Sequence, residues 1–314
     1  MTGEASLKRR GLLIVYGFEW CNPNGDPAFD NEPRIWEGRV LVTDVFLKRR
    51  IRDYIDYKYN EKDGKIIFLK EKEKNGKKMT QEERVDELVD KKGSKGNDTQ
   101  EIKKILKEKC WDIRVFGCMI PIPRDNTNEG EKGKALKLIG PVQMTFGVSL
   151  NKVEKIECTI TNVMPSKEET ARGGGIGRKY VVPVAIVEQY IFVNDITAKE
   201  SGMTESDYNL LLEALKNLKL TPTCNTSSKI LTPLMIVELE FKNEKYASIF
   251  GLLEAEEKKE NPSSLFDFNI KCSRLTQKLM ELKNNNVIEE PKIYIKSGYK
   301  ELFEGLNSLK TEPF

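Results

Sequence analysis

Residues 11–53, GLLIVYGFEWCNPNGDPAFDNEPRIWEGRVLVTDVFLKRRIRD, constrain the fold more than any other stretch of this chain. Leu12, Leu13, Ile14 and Val15 form a short apolar run, followed by Tyr16 and Phe18, and predict a mostly buried strand. Asn22-Pro23-Asn24-Gly25-Asp26-Pro27 cannot continue it, because proline removes backbone donors and Asn, Asp and Gly favour turns. Thr43 or Asp44 then stands at an N-cap position. Beyond it, Val45, Leu47, Ile51 and Ile55 recur at near-helical spacing. Lys48, Arg49 and Arg52 can share a second face of that helix, with Arg50 close by. A cationic face beside a loop of amides suits a phosphate chain, since Lys and Arg neutralise phosphates and Asn donates to phosphate and sugar oxygens. The same charges equally suit the solvated side of an amphipathic helix.

Composition excludes several functions. The 314 residues contain no histidine, which removes Ser-His and Cys-His nucleophile pairs and every histidine general base. Carboxylate, lysine and metal mechanisms survive. The six cysteines (Cys21, Cys110, Cys118, Cys158, Cys224, Cys272) include no C-x-x-C pair, so free thiols are expected rather than zinc. Lys and Arg total 52 against 49 Asp and Glu, so an RNA-binding surface must come from local clustering. No apolar run approaches the roughly 20 residues of a membrane span, and MTGEASLKRRG lacks the core of a signal peptide. A cytoplasmic protein with no membrane partner is the expectation.

Residues 57–109 are dominated by Lys and Glu. Ile66–Leu69 could be a hairpin strand, and Glu82–Val89 and Thr99–Leu106 read as surface helices, the second capped by Asp98 or Thr99. Gly93–Asn97 reads as a flexible joint. Asp112–Pro123 reads as β-rich, Asn126–Lys134 as a polar loop, and Leu136–Leu150 as alternating strand. Ile156–Val163 alternates cleanly, and Tyr180–Asn194 is a long β-type run. Between them Gly173, Gly174, Gly175 and Gly177 open no helix and precede no Gly-Lys-Ser/Thr, so a nucleotide loop is rejected. The segment reads as a hairpin tip whose glycines allow close approach to a nucleic acid and whose Arg172, Arg178 and Lys179 hold phosphates, or as a plain flexible loop. Thr204–Leu218 is an amphipathic helix capped by Thr204. Leu234–Phe241 is a buried strand, a helix begins near Cys272 or Ser273, and Lys292–Ile295 is a final strand before a frayed tail. These elements predict an α+β fold in which an antiparallel sheet carries helices on one face, compatible with a ferredoxin-like, RRM-type core.

NPNGDP, Glu32-Pro33-Arg34 and VTDVFLKRRIRDY, with Asp112–Gly117, Gly140–Gln143 and Arg172–Lys179, resemble the backbone subunit of type I CRISPR Cascade. That is the protein of the RAMP superfamily that coats CRISPR RNA (crRNA). The resemblance is closest to the subtype I-B form, with I-C next, and runs from Gly11 to about Val193. It implies an RRM-like palm begun by residues 1–56, a finger-like insertion at 57–150, a palm strand at 151–162, a thumb hairpin at 163–179 and the rest of the palm at 180–314. It implies a non-catalytic subunit without a cofactor, whose partners are crRNA, target DNA through crRNA pairing, other Cascade subunits and further copies of itself in a helical filament. Asn22, Asn24, Lys48, Arg49, Arg52, Arg172, Arg178 and Lys179 would bind RNA, and Met164 and Ile176 are candidate thumb wedges. Two other readings stand beside it. One is a target-RNA endoribonuclease like type III backbone subunits, using Asp26 or Asp30 with a divalent metal, although both aspartates also suit turns. The other is a stand-alone single-stranded RNA-binding module.

Overall fold

The computed structural model describes residues 7–89, 99–121, 135–161, 176–220, 231–242 and 244–314. Contacts divide the chain into two units that do not follow consecutive segments. The larger comprises residues 11–47, 144–191 and 216–314, and the smaller residues 1–10, 48–143 and 192–215. Among the described residues the fold is mixed α and β, with a large sheet and seven helices.

The sheet belongs to the larger unit. Its strands run in the order Thr311–Pro313, Lys292–Ile295, Leu231–Glu240, Arg10–Cys21, Ile176–Val193, Gly147–Ser149, Arg39–Val42 and Ile35–Trp36. Antiparallel registers set Val148 opposite Glu188, Gly147 opposite Val42 and Val237 opposite Ile293. Leu12–Phe18 is buried on both faces, which is why it reads as a continuous apolar run rather than an alternating one. Leu13 and Val15 join Leu234, Val237, Ile186 and Ile293 in one core, packed against Leu275, Leu279 and Leu282 of the helix Ser273–Asn284. Tyr16 donates to Gln189 Oε1 at 2.7 Å, and Gln189 Nε2 donates to the Thr145 carbonyl at 2.7 Å, so both buried polar groups are satisfied. Ile156–Thr161 pairs with Ile176–Val181 as an exposed hairpin arm. The C-terminal tail is not frayed. Thr311–Pro313 pairs in parallel with Ile293–Ile295, and Phe314 exchanges backbone hydrogen bonds with Ile295 and Ser297.

Seven helices follow in chain order: α1 Asp44–Tyr59, α2 Gln81–Leu88, α3 Thr99–Lys109, α4 Trp111–Phe116, α5 Asp195–Ser201, α6 Glu205–Lys216 and α7 Ser273–Asn284. In the smaller unit, Val85 and Leu88 of α2, Ile102 and Leu106 of α3 and Ile113 of α4 form a second core with Phe68, Leu136 and Leu138. Two readings from sequence are corrected here. Ile66–Leu69 contributes only a single bridge to Cys110. Asp112–Pro123 opens as helix: α4 ends at Gly117, whose φ of 78° and a Cβ that would lie 2.3 Å from the Leu138 carbonyl both require glycine. The β-branched residues there suggested strand, and the buried bonds of Asp112 described below settle the helix. No described helix is long and apolar enough to cross a membrane.

Candidate nucleic-acid interface

In the larger unit, the asparagine-rich loop is held by its own hydrogen bonds. Gly25–Asp26 pairs with Glu32–Pro33, and a Cβ on Gly25 would lie 2.3 Å from Asn31 Oδ1. Asn22 is buried and donates from Nδ2 to the Asn31 carbonyl at 2.7 Å. Asn24 Oδ1 accepts from the Thr43 backbone N–H at 2.8 Å and from its hydroxyl at 3.1 Å. Thr43 in turn caps α1, its Oγ1 accepting from Phe46 N–H at 3.3 Å. Arg34 donates to the carbonyls of Asn24 and Gly25 and pairs with Asp26 at 3.2 Å. Both asparagines therefore shape the loop and the start of the helix through the side-chain groups just named.

In the smaller unit, the basic residues of α1 differ sharply. Lys48 is half-buried, with its ammonium 5.9 Å from the Phe116 ring centroid. Arg49 pairs with Asp53 one turn on at 2.7 Å while 41% of its side chain stays exposed. Arg52 is buried, its guanidinium 5.0 Å from the same ring and bonded to Asp112 Oδ2 at 3.0 Å. Asp112 is buried too and also accepts from the N–H groups of Phe68 and Leu69. Arg52 thus fastens α1 to α4 rather than standing on an open face. Phe46, Leu47, Ile51 and Ile55 are the buried stripe, whereas Val45 is 61% exposed, because the stripe starts one residue later than the spacing suggests.

On the hairpin of the larger unit, Arg178 is 63% exposed and pairs with Glu157 at 3.4 Å, and the adjacent Lys179 is half-buried. Ile176 begins that strand, while Met164 and Arg172 lie outside the described residues, as do Gly173–Gly175, Gly93–Asn97, Asp98, Cys224 and the 126–134 loop.

Sequence patterning missed three exposed aromatics of the larger unit: Trp20 (φ 47°), Phe29 and Trp36, which are 56%, 69% and 68% exposed. Large apolar rings left in water are stacking platforms for bases or contact points for proteins. The signal was a Trp or Phe beside a polar, glycine-containing loop: Trp20 and Trp36 lie at the ends of their strands and Phe29 lies in the turn between. Two titrations stand out. Burial pushes the Glu188 carboxyl up to about 7, against the opposing pull of the Gly251 N–H and the Arg39 charge. Burial also pushes the Cys118 and Cys272 thiols up to about 12, consistent with inert free cysteines. Among the described residues no group of three or more carboxylates or thiols gathers as a metal site.

Similarity to known proteins agrees with this architecture. The family profile "CRISPR-associated protein Cas7" matches residues 8–273. A Haloferax volcanii protein of the same description is 27% identical over 294 residues, covering 87% of this chain and 83% of that one. Among solved structures, a chain of a "CRISPR RNA-guided surveillance complex, pre-nicking" superposes with a TM-score of 0.56 at 14% identity, covering 98% of this chain and 96% of that one. A chain of another "CRISPR RNA-guided surveillance complex" gives 0.53 at 13% identity, covering 98% and 94%. These two matches concern the fold. The profile spans most of the sequence, including the loop, the basic helix and the hairpin, and on that ground the chain belongs to the CRISPR-associated protein Cas7 family.

Proposed function

We propose that this protein is a non-catalytic, crRNA-binding backbone subunit of a type I CRISPR interference complex, of the I-B or I-C kind. Family membership over residues 8–273 is the observation that carries the reading. Copies polymerise head to tail along the spacer beside other subunits of the complex, in the cytoplasm, and base pairing selects the target DNA. The sheet of the larger unit serves as an elaborated ferredoxin-like palm, and the strand carrying Ile176, Arg178 and Lys179, together with the segment of Met164 and Arg172, serves as the thumb.

Lys48 and Arg49 hold crRNA phosphates, which their partial exposure permits. In the larger unit Asn22 and Asn24 support RNA binding by setting the loop and the α1 cap, and in the smaller unit Arg52 does so by setting the helix against Asp112. Trp20, Phe29 and Trp36 of the larger unit serve as stacking or subunit contacts. A nuclease role for Asp26 is disfavoured by its pairing with Arg34 and its acceptance of the Ala28 N–H at 3.0 Å, which are turn functions. Combined exchange of Lys48 and Arg49 for Glu tests the assignment. It predicts loss of co-purified crRNA with the melting temperature preserved; retention unchanged at moderate salt contradicts it.

A further inference from the structure

The larger unit contains a cavity of about 620 Å³ beside the end of its first strand. Trp20, Pro183 and Pro262 supply apolar lining, and the Trp20 side chain is left largely in water. Three carboxylates, Glu154, Glu257 and Glu260, line the same space against one ammonium, that of Lys152. All three are exposed, and none is ion-paired among the described residues. An aromatic face beside uncompensated carboxylates favours a cation whose carbon stem can lie along the ring. A cavity of this size admits a few side chains rather than a whole element.

The smaller unit carries a projection with the complementary charge. Glu73–Lys74 and Lys77–Lys78 form a two-stranded hairpin closed by Asn75 and Gly76, whose φ values of 54° and 73° are those of a tight two-residue turn. No described atom lies within 4 Å of a Cβ built on Gly76, so the tip stands clear. Lys74 and Lys77 face each other directly across the turn, and both are exposed. Like charges opposite each other destabilise a hairpin. Lys78 is neutralised by Glu71 at 2.9 Å, whereas neither Lys74 nor Lys77 is ion-paired among the described residues. A repulsive pair held at an open tip is relieved by an acidic partner, and the carboxylate-bearing cavity of the larger unit is one.

We propose that the Lys74–Lys77 hairpin tip of one copy docks in the Trp20 cavity of a second copy. The inference rests on the filament reading above and names a contact within it. The two surfaces differ, so the contact is heterologous, as head-to-tail growth requires. The lysine stems pack on the indole, and their ammonium groups meet Glu257 and Glu260. The test loads the full chain onto a crRNA of defined length and counts copies per RNA by mass photometry, beside affinity for a short RNA that holds one copy. Lys74→Glu with Lys77→Glu, and separately Glu257→Lys with Glu260→Lys, are each expected to raise the protein concentration needed for multi-copy assembly about tenfold. Single-copy affinity stays within about threefold of wild type and the melting temperature is preserved, because all four sites are exposed. Combining the four substitutions restores opposite charges and recovers most of the loss. Equal multi-copy assembly by wild type and both reversals, or a combined variant no better than the weaker reversal, overturns the contact while the filament stands. Loss of short-RNA affinity to the same extent as assembly on reversing the lysines assigns the hairpin to RNA and likewise overturns it. Single copies alone with the wild type overturn the filament reading and the contact together.

Discussion

Arg52 donates from Nε to Asp112 Oδ2 at 3.0 Å, and both side chains are almost wholly buried. The pair joins the basic helix α1 to the short helix α4, and the same carboxylate holds two backbone N–H groups at Phe68 and Leu69. Removing one partner leaves the other charge buried without its counterion. Asp112→Ala should therefore destabilise the fold by roughly 3–5 kcal/mol, the range for breaking a buried pair. Thermal or urea melting reads this directly, and a change under 1 kcal/mol would assign the pair no structural role.

Arg49 and Arg52 should separate in function. Arg49→Ala lowers RNA affinity and reduces the salt slope by about one, because an exposed cation releases about one counterion on binding. Arg52→Gln lowers melting temperature first and changes the salt slope little. Binding isotherms at three salt concentrations, beside a melting curve for each variant, check both halves.

Glu188 predicts a pH dependence of stability. Its carboxyl is raised from 4.5 to about 7 by burial, with Oε1 accepting from Gly251 N–H at 3.1 Å and Oε2 lacking a hydrogen-bond partner among the described residues. A carboxyl with the higher value in the folded state takes up a proton on folding between the two. This contribution is full below about pH 4.5, declines as pH rises towards 7 and is flat beyond. Glu188→Gln keeps the acceptor without the charge, so it should stabilise the protein at pH 8 by on the order of 3 kcal/mol and by little at pH 4.5. Urea titrations at the two pH values measure the difference.

The C-terminal residues should matter to stability. Deleting residues 311–314 removes an edge strand and the Phe314 bonds to Ile295 and Ser297, a loss on the order of 2 kcal/mol. Hydrogen exchange at Ile293 and Ile295 should rise in the truncated chain. Unchanged exchange there would mean that the pairing is absent in solution.

Local signals made much of this legible. The first strand, α1 with its Thr43 cap, α6, α7 and the long strand Ile176–Val193 each carry a periodicity or a cap visible in their own residues. What escaped depends on partners distant in sequence. Nothing near Arg52 says that Asp112, sixty residues on, will claim it. Asn22 looks like a free donor until its amide is seen to donate to the Asn31 carbonyl, and nothing near Asn24 says that its oxygen will accept from Thr43. Trp111–Phe116 has β-type composition and becomes helix because Asp112 is bonded into the segment before it and Gly117 closes the turn. The tail reads as polar and loose, and its order comes from pairing with the strand Lys292–Ile295.

The most direct measurement of the central claim is to purify the tagged protein from its native host and sequence the RNA that accompanies it after limited nuclease treatment. A crRNA-coating subunit predicts spacers flanked by one repeated sequence, protected at regular intervals. Mixed cellular RNA without a repeat, or no RNA, would contradict the account.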